Sequence, residues 1–272
     1  MKFLTNGLNE QYIEKGYLQL PFLKLSEIEE LTRIVNKYLS FKKPFTFVQS
    51  HQILDIETSQ KMNNEILQIV QPSIDRYIID YTIFFTVVAS KGNEPNSKLK
   101  FHTDRCFIDE QIYLPINLWL PLCDVSKGNG TLGIFEGSQK FTYTYRGINN
   151  FEYYMAPEYY EHIEKKCIKY LNVSKGEVVF YQPGLIHGSP DNQSSEIRHA
   201  LIITLLPKGA DIIYCYQNKH WCNIFNYVDV YKADFDFWIQ PVQPSPVNIL
   251  KRLYRRRNTK PKIGLDYFNK IQ

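Results

Sequence analysis

The chain reads as a mostly β protein with flanking helices, a sandwich or jelly roll. Three observations predict this. After residue 80 the apolar residues fall in short β-branched and aromatic runs, such as Tyr81-Thr82-Ile83-Phe84-Phe85-Thr86-Val87-Val88 and Ile116-Asn117-Leu118-Trp119-Leu120. Clusters of Gly, Pro and Asn break these runs at 92–96, 126–130, 176 and 183–184, so many short strands follow one another rather than alternating βαβ units. Helical periodicity belongs chiefly to the first 80 residues.

Taken in order, Ser26 can cap a helix with Glu29 completing a capping box, and Ile28, Leu31, Ile34, Val35, Tyr38 and Leu39 recur at helical spacing. A second helix is expected over Thr58–Ile69, with Met62, Ile66, Leu67 and Ile69 inward and Pro72 beyond its end. Strands are expected at Tyr81–Val88, Phe101–Asp104, Gln111–Tyr113, Ile116–Leu120, Val178–Phe180 and His199–Thr204. Residues 150–172, with Tyr153, Tyr154, Tyr159 and Tyr160, read as a partly helical insertion that either covers a cleft mouth or only packs. Near the end, Leu250, Leu253 and Tyr254 share one helical face, and seven basic residues fall between 251 and 262. A solvated tail or a docked helix is the plainer expectation there, and peripheral contact with an anionic membrane the alternative. The whole is expected to be a single domain over 1–272, with a mainly helical part at 1–80, a β core at 81–207 and an extension with a basic tail at 208–272.

Composition narrows the class. At 272 residues, 44% hydrophobic and 22% charged, the chain can bury a substantial core. Its 20 Tyr and 17 Phe suit a ring-lined cleft or, equally, a compositional bias. A formal charge of +4 is too small to argue for nucleic acid. Five cysteines without a Cys-x-x-Cys pair indicate neither a disulfide framework nor a zinc knuckle, and reduced thiols fit a cytoplasmic setting. Met1-Lys2-Phe3-Leu4-Thr5-Asn6 lacks the apolar run of a signal peptide, and the most apolar window, Tyr77–Ser90, is interrupted by Asp80 and falls short of the about 18 residues a span needs.

The candidate chemistry lies between Phe101 and Arg198. His102 and Asp104 have the spacing that puts two ligands on one face of an extended segment, and a distant third histidine, His187, would complete a clamp. Two imidazoles and a carboxylate on one side of a metal leave open positions opposite, as in non-haem iron(II) oxygenases. His-x-Asp alone is a weak signal. If the turn-rich segment Pro190–Ser195 closes a hairpin near Asn192 and Gln193, Arg198 falls opposite His187 and flanks the metal, where a guanidinium can hold a dicarboxylate by two parallel hydrogen bonds. The plainer alternative is an ordinary hairpin arginine. His51, His162, His199 and His220 fit no ligand spacing.

Phe101-His102-Thr103-Asp104, Asn129-Gly130-Thr131-Leu132, Glu136-Gly137-Ser138-Gln139-Lys140, Gly176-Glu177-Val178-Val179-Phe180 and His187-Gly188-Ser189 with Arg198 together resemble the phytanoyl-CoA dioxygenase family in order and spacing. Tyr12–Tyr17 and Leu25–Leu31 resemble the family's entry, so the likeness runs over about residues 10–207, fading near 40–75 and 141–165. The resemblance implies a double-stranded β-helix, the cupin-like jelly roll, and a dioxygenase using Fe(II), 2-oxoglutarate and O2. It implies His102, Asp104 and His187 as metal ligands, Arg198 as binder of the far 2-oxoglutarate carboxylate, and Ser189 and Trp119 beside that cosubstrate. Because Asp104 is present, hydroxylation of a small-molecule, carrier-linked or lipid- or sugar-linked substrate is expected, with desaturation or ring chemistry as other outcomes. The competing classes are a non-catalytic jelly-roll binding protein and a cupin-like metalloenzyme without 2-oxoglutarate.

Overall fold

Three helices open the chain, each preceded by a short strand. The computed structural model describes residues 1–41, 45–142, 145–147, 157–216, 227–233, 250 and 252–257. β1 (Lys2–Phe3) leads into α1 (Leu8–Lys15), β2 (Tyr17–Pro21) into α2 (Leu25–Tyr38), and β3 (Phe47–Gln49) into α3 (Ile56–Tyr77). α2 buries Ile28, Leu31, Ile34 and Val35, as its apolar stripe requires. It starts earlier than expected. Lys24 takes the N-cap position, its N–H donates to Glu27 Oε2 at 2.7 Å, and Ser26 lies within the first turn.

α3 is longer than expected at both ends. Asp55 caps it by accepting from the Thr58 N–H at 2.8 Å, and the helix continues through Pro72. Pro72 is exposed, so its ring stands toward solvent and disturbs no packed layer. Val70, Ser73 and Ile74 extend the buried stripe begun by Met62 and Ile66, whereas Leu67 and Ile69 are only partly buried.

The chain continues as β4 (Ile78–Ile79), β5 (Tyr81–Lys91), β6 (Leu99–His102), β7 (Ile116–Pro121) and β8 (Gly133–Ile134). Then come α4 (Pro157–Lys166), β9 (Lys169–Tyr170), β10 (Glu177–Tyr181), β11 (His187–Ser189), β12 (Arg198–Pro207), β13 (Ile213–Tyr216), β14 (Tyr227–Lys232) and β15 (Arg252–Arg257). A six-stranded antiparallel sheet has the order β2-β10-β7-β12-β5-β3, and a four-stranded one the order β6-β11-β8-β9.

Both faces of the larger sheet are covered. Leu118 and Leu120, Val178 and Phe180, and Leu201 and Ile203 pack with Ile28, Leu31, Met62 and Ile66 of the helices. The alternate residues Trp119, Val179 and Ala200 pack with Leu132, Ile134 and Leu171 toward the smaller sheet. Alternation thus survives in β7, β10 and β12 as a choice of layer, although their sequences read as nearly unbroken apolar runs. Two antiparallel sheets face to face with helices on one outer side make the expected jelly roll.

Elsewhere the structure corrects the reading. Gln111–Tyr113 is a turn held by Asp109, whose carbonyl accepts from the Ile112 and Tyr113 N–H groups, and Ile112 is 72% exposed. Of its apolar residues only Tyr113 is put to use, packing partly buried against the cluster of Phe84, Ile108 and Leu206. Arg252–Arg257 is a strand, not a helix, because β14 offers it a pairing edge in the three-stranded sheet β13-β14-β15. The helical face over Leu250, Leu253 and Tyr254 is therefore absent there. The expected partly helical insertion contains α4, while Tyr153, Tyr154, the side chains of Tyr159, Tyr160 and His162, and residues His220, Cys222, Lys260 and Lys262 lie outside the described residues.

Candidate metal centre

β6 ends on His102 and β11 begins on His187, and the two are directly opposite in the antiparallel ladder of the smaller sheet. Opposed residues present their side chains to the same face. The imidazole centroids are 4.5 Å apart. Gly188 allows the approach: a Cβ there would lie 2.8 Å from the Leu99 carbonyl oxygen and from the Phe101 ring. Asp104 follows beyond the strand end, with its N–H donating to Pro183 O at 2.8 Å and its own carbonyl accepting from Arg146 Nε at 2.6 Å. Arg146 is buried and fixed by both carboxylate oxygens of Glu110.

Asp104 Oδ1 stands 3.6 Å from His102 Nε2 and Oδ2 stands 3.6 Å from His187 Nε2, and one ligand atom from each residue falls within 4.8 Å of the others. The Nδ1 atoms face carbonyls, Lys100 O at 2.7 Å and Leu185 O at 2.9 Å. A carbonyl only accepts, so Nδ1 of each ring carries a proton and Nε2 is the ring atom turned toward the centre. Burial pushes the His187 pKa down to about 4 against the opposing pull of Asp104, which keeps the ring neutral at pH 7. Burial alone would raise the Asp104 carboxyl, but His187, His102 and the Tyr181 hydroxyl outweigh it and hold the group below the usual carboxylate range. The arrangement suits a divalent cation.

A row of polar residues crosses the larger sheet beneath this carboxylate. Thr204 of β12 is in register with Asn117 of β7, which is in register with Tyr181 of β10. Thr204 Oγ1 donates to Asn117 Oδ1 at 2.8 Å, and Asn117 Nδ2 and Tyr181 Oη both donate to Asp104 Oδ2, at 2.8 and 3.1 Å. Sequence reasoning missed this row. Its one visible signal is Asn117, a lone amide inside an apolar strand.

Arg198 is not the cross-strand partner of His187. The segment after Ser189 crosses between sheets instead of closing a hairpin, with Asn192 Nδ2 donating to Lys91 O and Glu196 O, and Arg198 opens β12 opposite Lys91. Arg198 still reaches the same cavity, because Trp119, Asn117, His102, Asp104, His187 and Arg198 all line one space of about 550 Å³. Its guanidinium is buried, lies 5.6 Å from the Trp119 ring, and donates to Ala89 O at 3.4 Å while Nε has no partner. Burial lowers its pKa to about 10, so it remains a cation. Ser189 lines the same space, but its hydroxyl donates to Gly130 O at 3.0 Å, and that proton must turn away before it can meet a carboxylate. Lys91, also missed from the sequence, is fully buried with Nζ on Pro190 O at 2.6 Å, and burial lowers its pKa to about 7.

His199 points away from the cavity face, as alternation requires, and its Nδ1 lies 2.8 Å from Ser90 Oγ. His51 joins no ligand group, although it lines the cavity.

The sequence profile of phytanoyl-CoA dioxygenases matches residues 29–200, well over half of the chain. The chain belongs to the phytanoyl-CoA dioxygenase family. As a member it is an oxygenase dependent on iron(II), 2-oxoglutarate and O2. No curated protein matches the chain in sequence. Solved structures with the same fold include HygX from Streptomyces hygroscopicus with nickel, 2-oxoglutarate and hygromycin B bound, 13% identical with a TM-score of 0.53 over 76% of this chain and 88% of that one. EvdO2 from Micromonospora carbonacea var. aurantiaca, complexed with 2-oxoglutarate, is 13% identical with a TM-score of 0.50 over 76% of this chain and 94% of its own. Among the described residues of this dioxygenase no helix is long and apolar enough to cross a membrane.

Proposed function

We propose that His102, Asp104 and His187 hold the iron, that Arg198 takes the far carboxylate of 2-oxoglutarate with Trp119 and Ser189 beside it, and that the reaction hydroxylates an unactivated C–H bond. The substrate is a small molecule, free or linked to a carrier, lipid or sugar. One observation carries the reading: three metal-type donors converge on the wall of a cavity that also holds a buried arginine with an unused Nε–H.

The residues fit the absent groups. Two imidazoles with Nδ1 committed to carbonyls offer Nε2 to a metal, and Asn117 with Tyr181 fixes the carboxylate that completes the set. A desolvated guanidinium backed by an indole ring is held in place to receive a carboxylate through two parallel hydrogen bonds. When bound, iron and 2-oxoglutarate supply an oxidative decarboxylation, yielding succinate and CO2, that drives oxidation of the substrate. The chain contributes orientation and exclusion of water. Family relatives that halogenate lack the carboxylate ligand, so Asp104 supports hydroxylation.

Anaerobic addition of iron(II) and 2-oxoglutarate should give a lilac charge-transfer absorbance, and His187→Ala should lose both colour and iron, since two ligands hold a divalent metal poorly. Iron content is checked by elemental analysis. Undiminished iron in that variant, or no colour and no succinate from the wild type, would overturn the assignment.

A further inference from the structure

The cavity extends beyond the metal ligands to the open edge of β5. β3 covers that edge only from Ala89 to Lys91, and residues from both faces of β5, including Phe85 and Thr86, line the space where β3 has stopped. The opposite wall is the first half of α3, where Ser59 and Asn63 stand one turn apart. Here Ser59 Oγ, Asn63 Oδ1 and Thr86 Oγ1 are buried and make no hydrogen bond within the protein. Half of the described residues' buried side-chain polar atoms without a partner, three of six, thus face one another at this end of the cavity.

The neighbouring groups are already committed. Asn63 Nδ2 donates to Thr86 O at 2.9 Å, Ser50 Oγ accepts from the Val88 N–H at 3.1 Å, and Asp55 is occupied in capping α3. The edge of β5 therefore does not offer Thr86 O and Val88 N–H to an added peptide strand. What is unmet is one amide oxygen, which needs a donor, and two hydroxyls, which can both give and accept. A hydrocarbon chain would leave all three unsatisfied. Among the described residues the cavity is lined by no lysine, and its arginines are Arg105 and Arg198, so these residues offer no cluster of cations for a polyphosphate carrier. Phenylalanine rings at 84, 85 and 107 complete the wall with apolar surface.

We infer that Ser59, Asn63 and Thr86 form the substrate subsite of this cavity, and that it takes a neutral, hydroxyl-rich ring, a polyol or glycoside, instead of an acyl chain. The inference rests on the assignment of His102, Asp104 and His187 as the oxidising end of the same cavity. Hydroxyl groups of such a ring meet the three polar atoms while its C–H face lies on the aromatic wall.

The test uses the full chain loaded with nickel and 2-oxoglutarate, so that binding is read without turnover. Calorimetric titration with a panel of methyl glycosides and trehalose is compared with palmitoyl-CoA, in the wild type, Thr86→Val and Ser59→Ala. At least one glycoside should bind saturably, and each variant should weaken it about tenfold, the worth of one good hydrogen bond. Neither variant should lower the melting temperature, because each removes a hydroxyl that the fold does not use. Palmitoyl-CoA should not bind. No glycoside binding, wild-type affinity in both variants, or binding of palmitoyl-CoA alone would overturn the inference. The charge-transfer absorbance with iron(II) and 2-oxoglutarate, measured in the same preparations, separates this failure from failure of the metal assignment.

Discussion

At the residue scale, the function rests on where a few polar side chains send their hydrogen bonds. Arg198→Ala should weaken 2-oxoglutarate binding strongly while iron binding stays nearly intact, because a desolvated charge pair loses one member at a cost of about 2–5 kcal/mol. Calorimetry on the variant measures this, and wild-type affinity would mean that another cation holds the acid. Arg105, the other arginine lining the cavity, would then be the first to examine. Asn117→Leu keeps the size but removes a donor to Asp104 Oδ2, and should lower metal affinity by about 10–100-fold, the usual effect of losing a group that orients a ligand. Tyr181→Phe should do less, since its bond to the same oxygen is the longer, 3.1 Å against 2.8 Å. Competition with a chelating dye reads both. Equal and wild-type affinities would show that the row across the sheet does not orient Asp104.

At the scale of elements, α3 shows how tertiary packing overrides a local signal. Pro72 reads as a terminator, yet the buried side chains Val70, Ser73 and Ile74 hold the helix through it. Pro72→Ala should restore a backbone hydrogen bond and stabilise the protein by about 2 kcal/mol, the helix-interior cost of proline less its effect on the unfolded chain. A urea midpoint at or below the wild-type value would mean that the packing is built around the proline. β6 and β11 make the opposite point. The segment Phe101–Asp104 reads as a strand, but the three residues of β11 carry little strand signal, and pairing His187 with His102 is what brings the proposed metal ligands together, with glycine at 188 because a Cβ there would meet the Leu99 carbonyl and the Phe101 ring.

At the scale of the whole molecule, burial on both faces of the larger sheet sets a pH dependence. His199 lies on the helix side of β12 against Ser90 and Phe41, and burial, aided by Arg198, lowers its pKa to about 4. In the unfolded chain the ring protonates near its ordinary pKa of about 6.5, so as pH falls the unfolded state binds the proton first. Stability present above about pH 6.5 is therefore lost progressively toward pH 4, by about 2 kcal/mol at pH 5 for this residue. Buried His187 adds a loss of the same sign in iron-free protein. Urea melts of the iron-free wild type and His199→Gln at pH 7.5 and 5.0 should show a smaller drop for the variant. Identical drops would assign the loss to other groups.

Periodicity already marks the class of fold, the helical stripes of α2 and α3 and the strands β5, β7, β10 and β12, while the motif likeness to a known family is what singles out His102, Asp104, His187 and Arg198 as candidates. How those residues meet is settled in three dimensions. His187 pairs with His102, and Arg198 arrives from the facing sheet, since a turn-rich segment can close a hairpin or cross between layers with the same composition. The same limit applies to Gln111–Tyr113 and Arg252–Arg257, where the availability of a pairing edge, and not local propensity, chose turn in one case and strand in the other. Asn117, Tyr181, Lys91, Ser59, Asn63 and Thr86 acquire meaning only in three dimensions, because a polar side chain's role is set by which partners burial leaves within reach.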